Sequence, residues 1–203
     1  MSERIARLRI ELQDVEPKIW RRVDVPLSMT LAVLHEAIQM AMHWRFSHLW
    51  RFEIGDRIYG DPSDYWYDLP KTYKAKALQL GTVIARGTDQ FVYLYDFGDN
   101  WRHDVIVEEV CDGDPATEYP AFVDGARRCP PEDVGGTGGF MEFLEAIQDP
   151  MHEEHHEMLV WNGGPFDPST FEEIGTYYSL NQIAKRRRGP LASHRSGSRR
   201  PKR

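Results

Sequence analysis

Cysteine is scarce in this 203-residue chain: only Cys111 and Cys129 occur, too few for a disulfide framework and in keeping with a reducing compartment. No apolar run approaches the ~18 residues that a membrane-spanning helix requires. The opening MSERIARLRIEL is charged and alternating, which excludes a secretory signal. These absences predict a cytoplasmic protein with no membrane partner. No segment recurs at a fixed period, so a solenoid or propeller is excluded as well. What is present is 41% hydrophobic residues and six Trp, enough to build the core of one folded domain.

Charge is unevenly distributed. The net charge is −7, yet residues 184–203 contain nine Lys and Arg and no acid, so residues 1–183 carry −16. An acidic body with a basic Ser/Gly/Pro-containing arm is the pattern. With so little apolar content, residues 184–203 are expected to be a disordered tail. Arg186, Arg187, Arg188, Arg199 and Arg200 are its candidate polyanion contacts, through phosphate neutralisation of a nucleic acid. A solvated tail resting on the acidic body is the plainer reading.

The hydropathy pattern predicts an α+β fold. Leu8, Ile10 and Leu12 alternate with Arg7, Arg9 and Glu11, a half-buried strand. The turn residues 14–17 lead into a second alternating run, Ile19, Arg21, Val23 and Val25, ended by Pro26. Thr30 fits an N-cap, and Leu31, Leu34, Ile38 and Met42 form one apolar stripe to about His43. Strands are predicted over 50–54, 57–59, 91–97 and 103–110, with residues 61–72 a turn-rich aromatic surface excursion. Hairpin, helix and further antiparallel strands make a β-grasp-like sheet with one packed helix. Residues 111–139 read as loop. Helices are expected over 140–147, from Asp149–Pro150 to Trp161, and more weakly over 168–174 and 178–185, giving a helical C-terminal half within a single domain of residues 1–183.

Four blocks carry a resemblance. They are PKIWRRVDVP (17–26) with the helix TLAVLHEAIQ, YDFGDNWRHDV (95–105), CPPEDVGGTGGFMEFLEAIQDP (129–150) and HEEHHEMLVWNGGPFDP (152–168). Together they resemble the Ri-plasmid ORF-three-like family, often labelled mobile-element passenger TnpR proteins, over roughly residues 5–175. The resemblance implies a compact α+β domain found on plasmids, transposable elements and chromosomes. It does not imply recombination: no Ser nucleophile stands among several arginines, and no helix-turn-helix of convincing shape is present.

Several constellations offer chemistry. Asp96, Asp99, Trp101 and His103 crowd one turn, beside Asp104. The carboxylates and imidazole suit general acid–base or metal chemistry, or else the carboxylates staple the turn's free amides while Trp101 joins the core. The Asp96-Phe97-Gly98 match to a kinase motif is chance, since no glycine-rich strand loop or HRD precedes it. Cys129, Glu132 and Asp133 form a second candidate group, with a buried structural thiol the plainer reading of Cys129. Gly135–Gly139 fit neither phosphate-loop spacing and read as glycines for close packing. His152-Glu153-Glu154-His155-His156 spells H-E-x-x-H, making His152 and His155 candidate metal ligands. The motif starts too early in its helix, however, and no third ligand follows at a diagnostic spacing.

No catalytic set is complete. The leading expectation is therefore a non-enzymatic interaction module with an unknown protein partner, no resident cofactor, and a tail for nucleic acid. The alternative is a divalent-metal-dependent hydrolase or nuclease-like enzyme built on the Asp/His cluster.

Overall fold

Alternation in the first thirty residues produces the hairpin it predicts. In the computed structural model, which describes residues 2–64 and 71–188, β1 (Arg4–Leu12) pairs antiparallel with β2 (Trp20–Pro26). Leu8, Ile10, Leu12, Val23 and Val25 face the core. Arg21 has the parity of Val23 and Val25, so the strand carries a guanidinium to the same buried side.

The chain continues through α1 (Leu31–Met42), β3 (Trp50–Ile54), β4 (Arg57–Gly60), β5 (Thr72–Lys74), α2 (Leu80–Ala85), β6 (Gln90–Tyr95), β7 (Trp101–Asp112) and β8 (Ala121–Ala126), and ends in α3 (Gly136–Gln148), α4 (His155–Trp161) and α5 (Glu173–Arg188). All eight strands form one sheet in the order β5-β4-β3-β6-β7-β1-β2-β8. Every pairing is antiparallel except the edge pair β4–β5. The class is mixed α+β, as expected, but the sheet is larger than the hairpin-plus-helix arrangement suggests, and the C-terminal helices occupy only the last third of the chain.

Thr30 caps α1 by accepting a hydrogen bond from the Val33 amide. Leu31, Leu34, Ile38 and Met42 are all buried, and full burial of each is worth roughly 1.5–3 kcal/mol. His35 and Gln39 of α1 both reach the Tyr93 hydroxyl of β6, at 2.7 and 3.0 Å, which ties the helix to the sheet. The opposite sheet face is polar. Arg7 grips Asp24 and Arg22 grips Glu108 bidentately, and Glu53 accepts from Arg51 and Arg102.

Four expectations need correction. The loop predicted over 111–139 contains the end of β7, the edge strand β8 and the start of α3. The helix predicted from Asp149 begins only at His155, because residues 149–154 form turns. The two weak C-terminal helices are one, α5, which starts at Glu173 and not Pro168. It also runs into the predicted tail: residues 184–188 are helical, and Arg186, Arg187 and Arg188 pair with Glu36, Glu3 and Glu118. Arg199, Arg200 and the Tyr65–Tyr67 aromatic run lie outside the described residues.

Candidate metal centre and adjoining cleft

The loop from α1 to β3 is held amide by amide. His43 closes α1 in the left-handed region (φ 64°), its N–H on the Gln39 carbonyl. Trp44 turns inward, stacks on Tyr95 with ring centroids 5.0 Å apart, and donates its indole N–H to the Pro130 carbonyl at 3.1 Å. The Arg45 amide donates to Glu132 (2.7 Å), that of Phe46 to the Gln39 side chain (3.1 Å), and that of Ser47 to the Tyr95 hydroxyl (3.1 Å). With its neighbours fixed in this way, His48 is delivered to the edge of β3, its ring steeply inclined to that of Tyr95.

His48 meets three carboxylates there. Its Nε2 lies 3.0 Å from Asp133 Oδ1, 3.5 Å from Asp96 Oδ2 and 3.7 Å from Glu132 Oε2. That nitrogen is itself buried, yet it makes no hydrogen bond: none of the three contacts has the required geometry. The ligand atoms of His48, Asp96 and Asp133 all fall within 4.8 Å of one another. A cation held at about 2.1–2.4 Å by each would bring its ligands to separations of this size. Among the described residues this is the one His/Cys/Asp/Glu group with metal-ligand spacing.

Each carboxylate has a separate support. Asp96 divides its two oxygens: Oδ1 accepts from the Gly98 and Asp99 amides (2.9 and 3.3 Å), leaving Oδ2 toward His48. Glu132 is fixed by the Tyr95 hydroxyl, which donates to both of its oxygens at 3.1 and 3.2 Å. Burial, with Glu132 close by, raises the Tyr95 hydroxyl above its ordinary value, so it stays a donor. Asp96 and Asp133 both adopt left-handed backbone, at φ 55° and 60°. Such conformations are sparsely populated and gather where function requires a fixed side-chain aim. The Asp96 side chain is 10% exposed and that of Asp133 is 69% exposed, so the cluster has a buried and an open side.

Of the residues singled out in the sequence, Asp96, Glu132 and Asp133 converge. The others serve the frame. Asp99 accepts from the Gly135 amide at 3.2 Å and so joins the β6–β7 turn to the loop before α3. Trp101 is buried core. His103 is fully buried, with Nδ1 3.3 Å from the Tyr93 carbonyl, and burial lowers its pKa to about 4. Cys129 donates to Met42 Sδ and accepts from Arg21, each at 3.3 Å, and burial pushes its thiol up and keeps it neutral. His152 lies in the turns ahead of α4, where its Nδ1 accepts from the Glu154 amide. His155 opens the helix and bonds the Ala146 carbonyl. The H-E-x-x-H string therefore does not form two turns of one helix.

A cleft of about 460 Å³ adjoins the centre and shares Glu132 and Asp133 with it. Arg21, Arg45, Arg128, Trp161 and Phe171 are among its walls. His48 escaped the sequence reading because nothing in HWRFSHLW marks it; only the return of β6 and of the 129–135 loop gives it partners.

Fold and site together define a helix-covered antiparallel sheet with an imidazole–carboxylate cluster where the α1–β3 and β6–β7 connections meet. The chain belongs to the family described as Plasmid pRiA4b ORF-3-like protein, which it matches over residues 4–174. It is 44% identical over 165 residues to the uncharacterised protein y4hQ of Sinorhizobium fredii, covering 80% of this chain and 83% of that one. A crystal structure of a protein of unknown function from Methanosarcina mazei Go1 superposes with a TM-score of 0.79 at 32% identity, covering 86% of this chain and 97% of the other. Among the described residues no helix is long and apolar enough to cross a membrane.

Proposed function

We propose that the protein is a divalent-metal-dependent hydrolase whose centre is His48, Asp96 and Asp133, with Glu132 beside it. One observation carries the reading: the buried His48 Nε2 lies within 3.7 Å of three carboxylates and hydrogen-bonds to none of them. A buried polar nitrogen that makes no hydrogen bond is costly. One shared cation would satisfy the nitrogen and offset the mutual repulsion of the carboxylates. Two carboxylates with one imidazole suit a hard or borderline ion such as Mn²⁺, Mg²⁺ or Zn²⁺. Such an ion lowers the pKa of a bound water. With such an ion bound, the site would supply an activated water for hydrolysis, and a carboxylate of the cluster would take that water's proton and return it to the departing group as the scissile bond breaks.

The test is metal content followed by turnover. Protein reconstituted with Mn²⁺ and desalted should retain about one ion per chain and hydrolyse activated esters. His48→Ala should lose both. Retention that is the same in His48→Ala and wild type contradicts the assignment.

A second reading is an interaction surface. Ile174, Tyr177 and Tyr178 of α5 are exposed, at 74%, 53% and 64%. Exposed apolar side chains gathered on one helix suit a protein partner. In the same reading, Arg199 and Arg200 of the C-terminal arm add a polyanion contact, with Arg186, Arg187 and Arg188 already paired to the body. Nucleic-acid binding whose salt dependence is unchanged by deletion of residues 189–203 would refute the arm's part.

A further inference from the structure

Arg21 is a buried cation with no counter-ion. Its residue is 1% exposed, and all five of its N–H donors are used on neutral acceptors. Nε bonds the Ala41 carbonyl, Nη1 those of Trp20 and Ala126, and Nη2 that of Arg127 and the Cys129 sulfur, at 2.8–3.3 Å. The guanidinium carbon lies 3.8 Å from the centroid of the Phe171 ring. Buried charges are ordinarily balanced by an opposite charge, and here every hydrogen bond of Arg21 goes to a neutral group. Burial accordingly lowers the Arg21 pKa, though an arginine stays protonated.

Arg21 forms part of the wall of the cleft beside the His48 centre, and that cleft also contains Arg45 and Arg128. Most arginines of the described chain are held by carboxylates: Arg7 by Asp24, Arg22 by Glu108, Arg102 by Glu53, Arg187 by Glu3. Among the described residues the guanidinium groups of Arg45 and Arg128 meet no carboxylate within 4.0 Å, although Arg128 lies near enough to Asp167 for the two charges to attract. Arg128 is steadied by the Phe166 ring, 4.7 Å from its guanidinium carbon. Two exposed arginines whose guanidinium groups lack a close carboxylate among the described residues and one buried cation thus border the same 460 Å³ space. Glu132, Asp133 and Glu172 line it too, but the first two turn toward His48.

We propose that this cleft is an oxyanion subsite: Arg45 and Arg128 bind the phosphoryl group of a small organic phosphate, and Arg21 contributes the buried positive field beneath it. The inference deepens the hydrolase reading and rests on it for the role of the ligand as substrate. Guanidinium groups match tetrahedral oxyanions through paired N–H donors, and a low-dielectric floor strengthens the attraction. Trp161, half exposed on the rim, offers a flat apolar surface to the organic part. Arg21 has no donor left for the ligand, so it is a positioning residue, acting through its charge.

The experiment is a calorimetric titration of phenyl phosphate into full-length protein, both EDTA-treated and Mn²⁺-loaded. Benzoate and phenol are titrated as further probes. Arg128→Ala and Arg45→Ala should each weaken phenyl phosphate binding roughly tenfold, the double variant more, and Arg86→Ala not at all. Both targets are exposed, and unchanged thermal melting will show that their variants fold. Binding should weaken with salt, and phenol should not bind. Benzoate binding as tight as phenyl phosphate would overturn the phosphoryl assignment. Phenyl phosphate affinity unchanged in the double variant, or no saturable binding in either metal state, would overturn the subsite. Saturable, arginine-dependent binding to protein that never retains Mn²⁺ would instead remove the metal reading and leave the oxyanion subsite standing.

Discussion

Acidification should destabilise the protein well before its carboxylates titrate. His35 and His103 are both buried, and burial lowers their pKa values to about 3 and about 4 from an ordinary 6.5. His35 lies flat on Trp50, ring centroids 4.0 Å apart, with its Nδ1 2.7 Å from the Tyr93 hydroxyl. His103 stands perpendicular to the Trp44 ring, and its Nε2 has no hydrogen-bond partner. Neither ring has room for the hydration that an imidazolium needs. Below pH 6.5 the unfolded chain therefore binds protons at these two sites that the native protein refuses. His43, also lowered by burial, adds to the same trend, and stability falls as the pH falls until the folded-state values are reached. At pH 5 His35 and His103 should each cost about 2 kcal/mol relative to pH 7.5, or about 4 kcal/mol together. Against a total stability of about 5–15 kcal/mol this is a large change. Glu108, held low by the hydrogen bond from Arg22, and Glu53, held low by Arg102 and Arg51 despite its burial, lose their contribution only below about pH 4.5. The window between pH 5 and 6.5 thus isolates the histidines. Urea unfolding at half-unit intervals from pH 5 to 7.5 measures the effect, and His103→Leu should remove about 2 kcal/mol of the difference between pH 7.5 and pH 5. Equal stability at pH 5 and pH 7.5 would refute the reasoning.

Other perturbations test the frame of the site. Gly136→Ala should cost about 2–3 kcal/mol in urea unfolding, because its φ is +69° and a Cβ there would stand 2.5 Å from the Asp99 carbonyl oxygen. Arg21→Leu leaves four carbonyls without their donor and should lower stability by more than ~3 kcal/mol, read as a drop in melting temperature. Arg187→Ala should cost about 1 kcal/mol, since that side chain joins α5 to the Tyr119 carbonyl, Glu3 and Ser28. A variant as stable as wild type would show that this end of α5 is not held by it.

The sheet was legible wherever one face is buried and the other wet. Leu8, Ile10 and Leu12, and likewise Phe91, Tyr93 and Tyr95, alternate because the pleat sends successive side chains to opposite sides. β8 was missed because an edge strand of half-covered residues, AFVDGA, has no such period. At six residues α2 is too short to show a helical stripe. α5 was split and ended early because its apolar residues do not follow one stripe: Ile174, Tyr177 and Tyr178 face solvent while Leu180 and Ile183 are buried. The site was legible in halves. Asp96 announced itself in a dense polar turn, and Glu132 and Asp133 in an acidic loop, but only tertiary structure brings the two together. The same turn also attracted attention to Asp99, Trp101 and His103, whose work is stapling and packing. His48 carries no local signal, since a ligand supplied by a loop is defined by what surrounds it.

The most direct test of the metal centre is elemental analysis of untagged protein after Mn²⁺ or Zn²⁺ reconstitution and desalting, with His48→Ala and Asp133→Ala in parallel. About one equivalent per chain in wild type, lost in both variants while their folds persist, is the predicted result. No retained ion and no change in wild-type melting temperature on adding either metal would contradict it, and His48 would then be an ion-pairing histidine of the frame.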